Sequence, residues 1–208
     1  MNGVTNGTPT KLPFGAGVFA KGVPFNPLVA PTLEQIKQGL MGATKGGGGV
    51  TITPKLFDPE LDDVTVKVAE LSYHKFGEEG KMDISFAELT PGLVNNMVIG
   101  TVGETTDKNY DVITSHVGAL QEGHIIEGLC YYGEFMNGRP WCIVAKKALI
   151  TSGMPVEGSS ATNTVFKGTA EICSDLEYGT NKLPYAIFIY KEDKFVPATP
   201  EQAAQAAE

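Results

Sequence analysis

From Gly123 to Gly153 the chain reads GHIIEGLCYYGEFMNGRPWCIVAKKALITSG, two apolar and aromatic runs separated by Asn137-Gly138. An Asn-Gly pair so flanked is a strong short-range signal for a β-hairpin, because a type I′ turn needs φ > 0 at both central residues. A two-residue turn sets Met136 opposite Arg139, Phe135 opposite Pro140, Glu134 opposite Trp141, and so back to Ile125 opposite Ile150. Pro140 then sits where no amide is owed to the partner strand. Arms of about 11 residues predict a hairpin roughly 36 Å long. In this register Trp141, Ile143, Ala145 and Leu149 share a face with Tyr132, Cys130 and Ile126. Val144, Cys142, Ala148 and Ile150 share the other with Phe135, Tyr131, Leu129 and Ile125. A half-solvated antiparallel pair alternates apolar with polar. Here both faces are apolar, which predicts a hairpin between two layers of one core or one partly covered by a neighbouring subunit. The candidate subunit interface is Tyr131, Tyr132, Phe135, Asn137, Gly138, Trp141 and Ile143.

Elsewhere the pattern predicts short strands and two helices. Gly15–Ala20 is a strand, and the prolines after it make an extended linker. Thr32-Leu33-Glu34-Gln35 has the spacing of a capping box and starts a short helix over Leu33–Leu40. The glycines Gly46–Gly49 lack the Lys-Thr of a phosphate loop and read as a flexible connector into a strand, Val50–Leu56. DPELDD, Asp58–Asp63, lacks calcium-loop spacing and reads as a solvated loop. Val64–Tyr73 alternates as a strand, Phe76–Lys81 reads as a Gly-bearing turn, and Met82–Leu89 as a further strand. Thr90-Pro91 caps a helix with Leu93, Met97 and Val98 on one stripe, ending at Gly100. A polar loop, Thr101–Tyr110, leads to a strand over Asp111–Leu120. Thr151–Asn163 is a small-residue loop, and Thr164–Ile172 and Leu183–Tyr190 are the last strands.

Composition narrows the class. The chain has 25 glycines and 13 prolines in 208 residues. Glycine is thus well above the usual ~7%, which with abundant Thr, Val, Ile and Tyr argues an all-β domain with many turns. A net charge of −8 excludes an ordinary nucleic-acid binder built on a basic patch. Three cysteines do not make a disulfide framework, and in the predicted register Cys130 and Cys142 lie on opposite faces, so all three are expected as reduced, structural thiols. His74, His116 and His124 have no zinc spacing. No nucleophile motif or facing carboxylate pair stands out, so neither an enzyme nor a cofactor or metal site is expected. No apolar run reaches a membrane span and no signal-peptide core opens the chain, which predicts a soluble, intracellularly made protein.

The order of elements carries a resemblance. A Gly-rich strand and a Gly-Gly entry into VTITPKLFDPELDDVTVKVAEL are followed by KMDISFAEL, TPGLVNNMVIG, FKGTAEIC and LPYAIFIYK. Over about residues 15–191 this resembles the tail tube (major tail) proteins of long-tailed bacteriophages and of Firmicutes prophages. The resemblance implies a mainly β, antiparallel β-sandwich with one flanking helix at Pro91–Ile99 and a long β-hairpin. It divides the chain into an N-terminal arm (1–49), a tube domain (50–195) and a C-terminal tail (196–208). It also implies hexameric rings that stack into a tube, with tape measure, tail terminator and baseplate proteins as partners. Duplex DNA passes such a tube without specific binding, in a virion tail assembled in the host cytoplasm. The rival expectation is an Ig-like β-sandwich that decorates a capsid or cell surface.

Overall fold

The computed structural model describes residues 11–57, 74–121, 123–159, 162–179 and 182–195. The predicted acidic loop at Asp58–Asp63 and strand at Val64–Tyr73 lie outside them, as do the first ten residues and the tail. The fold is mainly antiparallel β. Among the described residues the strands are β1 (Pro13–Ala20), β2 (Gly49–Phe57), β3 (His74–Phe86), β4 (Gly100–Gly103), β5 (Val112–Ser115), β6 (Ile126–Phe135), β7 (Pro140–Ile150), β8 (Val156–Ser159), β9 (Thr162–Cys173) and β10 (Tyr185–Ile189). The helices α1 (Leu33–Gln38) and α2 (Pro91–Val98) accompany them.

The main sheet runs β1-β6-β7-β9-β3-β2, with β10 on β7 and β8 on β9; β4 and β5 pair separately. Four strand steps separate β1 from β3, roughly 19 Å in a flat sheet. Yet the Phe19 ring of β1 lies 6.1 Å from the Phe86 ring of β3. The sheet is therefore folded over on itself, and its two halves enclose Phe19, Met82, Ile84, Phe86, Leu129, Tyr131, Ala145, Ile150 and Ala170. Leu93 and Met97 of α2 close the same core.

The fold-over is made by β6 and β7. The first half of β7 pairs with β10 (Trp141↔Ile189 to Ala145↔Tyr185) and its last residues pair with β9 (Lys147↔Cys173 to Ile150↔Ala170). The residues of β7 in the main core are odd-numbered at Ala145 and even-numbered from Ala148. On β6 the same change of phase, from Tyr131 and Leu129 to Ile126, falls at Gly128, whose φ is +59°. Strands that pass from one layer to another do so at such bends. A side chain at Gly128 has no room, since its Cβ would lie 2.0 Å from the Val23 carbonyl oxygen.

Local signals set both helix starts. Thr32 and Gln35 make both hydrogen bonds of a capping box, and the Thr90 hydroxyl accepts from the Leu93 amide with Pro91 opening α2. The end of α2 differs from expectation: the left-handed cap is Ile99, at φ +50°. Gly100 is needed elsewhere, because a Cβ there would lie 2.5 Å from Ile113 of β5.

Several expectations are corrected. The hairpin register is displaced by one residue. Glu134 faces Pro140, Gly133 faces Trp141 and Tyr132 faces Cys142. Phe135 N–H donates to Arg139 O at 2.9 Å and Gly138 N–H to Phe135 O at 2.8 Å, closing a three-residue loop. Only Gly138 takes positive φ, +80°, as in a type I turn followed by a left-handed glycine. Cys130 and Cys142 consequently share a face. Phe76–Lys81 is not a turn but the middle of β3, where Gly80 lets Ile172 and Leu183 approach within 2.7 and 3.1 Å of its missing Cβ. The strand expected over Asp111–Leu120 is only Val112–Ser115, and the loop expected over Thr151–Asn163 contains β8 and the start of β9. The glycine run packs on the core: a Cβ at Gly48 would meet the Phe19 ring at 2.5 Å, and the Tyr131 hydroxyl donates to Gly48 O at 3.2 Å.

With Gly138 left-handed, Gly138→Val is expected to cost on the order of 1–2 kcal/mol. Gly138→Asn, which tolerates that geometry, is expected to remain close to wild type. Urea unfolding of the two variants checks this; equal midpoints would show that the loop has relaxed to another type.

Candidate assembly surface

The seven predicted interface residues do not form one surface. Tyr131 is 7% exposed and belongs to the core, stacked on Phe19 with ring centroids 4.7 Å apart. Trp141 meets Tyr131 edge-on at 5.4 Å and covers Gly133, so it is half-buried on that face with Ile143. Tyr132 is half-buried on the opposite face, its hydroxyl donating to Glu134 at 2.8 Å. Phe135 lies under the Arg139 guanidinium, 4.3 Å from its ring centroid, while Asn137 and Gly138 form the tip. The second apolar face of the hairpin is covered by the chain itself. Ala20, Val23, Phe25 and Ile36 pack on Cys130, Cys142, Val144, Tyr132 and Phe188. Both faces of the hairpin thus find partners within the chain, while Tyr132, Trp141 and Ile143 stay half-buried.

What remains uncovered lies beside the hairpin, on β10. Its Ile187 and Ile189 are 52% and 59% exposed, next to half-buried Trp141 and Ile143, with which they pair in register. Among the described residues β10 has β7 as its strand partner and nothing on its outer edge. A groove of about 580 Å³ runs along this strand, walled by Pro31, Leu33 and Ile36 on one side and by Tyr132, Cys142 and Phe188 on the other. Leu33 is half exposed at its rim. Among the described residues β2, at the far border of the sheet, also has no strand on its outer edge. It pairs with β3 over Gly49–Phe57, whereas β9 reaches β3 only over Lys81–Phe86. Beyond that overlap the β2–β3 pair carries exposed Leu56, Phe57 and Phe76. The edge of β1 is managed differently: Met41 N–H donates to Phe19 O at 3.0 Å and the Thr44 hydroxyl to Gly17 O at 2.8 Å. Covering by a loop is one way in which an edge is blunted.

The polar clusters have structural roles. His124 is buried, accepting from Gln121 N–H at Nδ1 (3.0 Å) and facing Gly100 O with Nε2 (2.6 Å). It fastens the loop before β6 to the start of β4. Burial pushes the Glu78 carboxyl upward, but Lys75, the Leu183 amide and the Tyr185 hydroxyl outweigh it and hold the group below its ordinary range. Among the described residues no three His, Cys, Asp or Glu side chains gather as metal ligands. No helix among them is long and apolar enough to cross a membrane.

Asp175 ties the loop after β9 to the bend in β7. Its carboxylate is 2.7 Å from Lys146 and 3.5 Å from Lys147. The Lys146 bond first, and then the Tyr178 amide, lower its pKa from 3.8 to about 2. A lowered folded-state pKa contributes stability above the unfolded value and loses it as pH falls through the folded one. This loop is therefore expected to loosen as pH drops from about 4 towards 2, and Asp175→Asn to remove that dependence. Hydrogen exchange of the Tyr178 amide across this range is the measurement; an unchanged profile in the variant would assign the transition to another carboxylate.

No protein-family model matches the sequence, and no curated protein matches it.

Proposed function

We propose that this chain is a structural subunit that assembles head-to-tail into rings and stacked tubes, of the type formed by the tail tube proteins of long-tailed bacteriophages. The observation that carries the reading is the exposed apolar strand β10 with an open outer edge. Soluble proteins normally blunt such an edge with charge, proline or a covering loop. Among the described residues β1 is covered by a loop while β10 and β2 have no strand on their outer edges. Contacts between two different surfaces of one chain are heterologous, and they generate rings where the rotation closes and filaments where it does not. The β2–β3 pair, with Leu56, Phe57 and Phe76 exposed, suits a contact with a neighbouring subunit. The resemblance in element order supports the same reading. The net charge of −8 fits a conduit along which duplex DNA slides without being held.

Negative-stain microscopy and sedimentation of the purified chain test the proposal. Rings or tubes that retain no duplex at low salt are expected. A monodisperse monomer at high concentration would overturn it and favour a decorating or binding module.

A further inference from the structure

We propose that Cys130 and Cys142 form a cross-strand dithiol site that a low-molecular-weight disulfide, entering by the groove beside α1, converts to an intramolecular disulfide. The displaced register is what brings the two together. Phe135–Arg139 is the hydrogen-bonded pair that closes the loop, and hydrogen-bonded pairs alternate with non-bonded ones along an antiparallel ladder. Tyr132↔Cys142 and Cys130↔Val144 are therefore successive non-hydrogen-bonded pairs, whose side chains stand closest. The two cysteines are diagonal neighbours on one face, in one buried cluster with Val144, Val23 and Ile36. Each thiol bears on the other's proton affinity.

The two sulfurs differ in setting. Cys130 has no exposed surface, while Cys142 is 6% exposed and lines the groove of about 580 Å³. The hydrogen bond from Cys130, more than burial, sets the direction for Cys142 and holds its pKa below the ordinary thiol value. The same bond and burial together push Cys130 up. Because only Cys142 reaches the groove, it is the attacking sulfur and Cys130 the resolving one. In the first step the Cys142 thiolate attacks one sulfur of the small disulfide; a protein–small-molecule S–S bond forms and one small thiolate leaves. In the second, Cys130 passes its proton to that thiolate and attacks the Cys142 sulfur, expelling the other small thiolate, which is protonated by solvent. Two protein thiols are oxidised and one small disulfide is reduced to two thiols. Diagonal neighbours stand slightly farther apart (~7–8 Å) than the ~4.4–6.8 Å spanned by a relaxed disulfide. Closure therefore draws the strands together, and an excess of the small thiol reopens the bond. Cys173, half-buried on β9, is the internal control, since it belongs to neither pair nor groove.

The test treats the native full chain with oxidised glutathione, then counts thiols and maps linked peptides by mass spectrometry. Expected is a Cys130–Cys142 link that reduced glutathione reverses, with Cys173 still titratable. In Cys130→Ser the reaction should stop with glutathione retained on Cys142, and Cys142→Ser should take up none at Cys130. Modification confined to Cys173, or a link that appears only in denaturant, would overturn the proposal. The wild-type mapping decides even where a serine variant folds poorly, and its outcome is independent of whether the chain forms tubes.

Discussion

Replacing Ile187 and Ile189 together by lysine is expected to leave the monomer folded and to abolish its assembly into rings or tubes. Both side chains are more than half exposed, and substitutions at such positions usually move stability by no more than about 0.5 kcal/mol. Lysine is among the residues with which exposed sheet edges are blunted, so the change suits the isolated strand. In an assembly the same positions are covered. An ammonium buried without a partner then costs several kcal/mol, and each ~1.4 kcal/mol weakens association about tenfold. With two such charges per contact, a loss of at least about a thousandfold follows. Sedimentation velocity and electron microscopy of the variant beside wild type provide the comparison, with far-ultraviolet circular dichroism to verify folding. If the double variant assembles as wild type does, β10 is not at the contact, and the proposed use of its open edge is wrong.

Gly128→Ala is expected to be the most destabilising single-methyl change in the hairpin. The left-handed conformation at φ +59° costs a non-glycine residue roughly 1–2 kcal/mol. The new Cβ would also lie 2.0 Å from the Val23 carbonyl oxygen and 2.6 Å from its nitrogen, both backbone atoms. Relief requires moving the segment whose Gly22 and Val23 amides donate to Glu127 O and Gly128 O. Each such bond is worth about 0.5–1.5 kcal/mol. A total on the order of 2–5 kcal/mol follows, or a fall in melting temperature of roughly 5–15 °C for a chain of this size. Gly153→Ala is the matched comparison, because Gly153 has φ +74° with nothing within 4 Å of its missing Cβ. It should show the backbone cost alone, about 1–2 kcal/mol. Equal losses in the two variants would mean that the Val23 contact does not hold the bend.

These expectations separate what was legible in the chain from what was not. Features governed by a few neighbouring residues were read correctly. The Thr32–Gln35 box and the Thr90-Pro91 start are contacts within one helical turn, so their free energy is local and their spacing suffices. The strands β1, β2, β9 and β10 and both arms of the long hairpin followed from alternation and from glycine and proline boundaries. The existence of a turn at Asn137-Gly138 belongs to the same group.

The kind of turn did not. Asn-Gly suits a two-residue loop with both residues left-handed and a three-residue loop with only the glycine left-handed. Here contacts with distant parts of the chain accompany the longer one. Met136 N–H donates to Leu12 O at 3.0 Å, and Arg139 lies over Phe135 while donating to Tyr190 O at 3.1 Å. That single residue of register exchanged the facing partners and brought Cys130 to the side of Cys142. Gly48 and Gly80 read as punctuation because a lone chain does not show what will press against a missing Cβ; Phe19, Ile172 and Leu183 supplied it. The sequence by itself thus determined a mainly β chain, where its strands and helix caps fall, and that the long hairpin is apolar on both faces. The tertiary structure alone decided which sides met, that the hairpin's second face is buried by residues 20–36 of the same chain, and that β10 is among the strands left with apolar side chains exposed. The reason is physical: periodicity records that a side chain prefers burial, whereas the identity of its neighbour depends on bends at Gly128 and Lys146–Lys147 and on segments more than a hundred residues away.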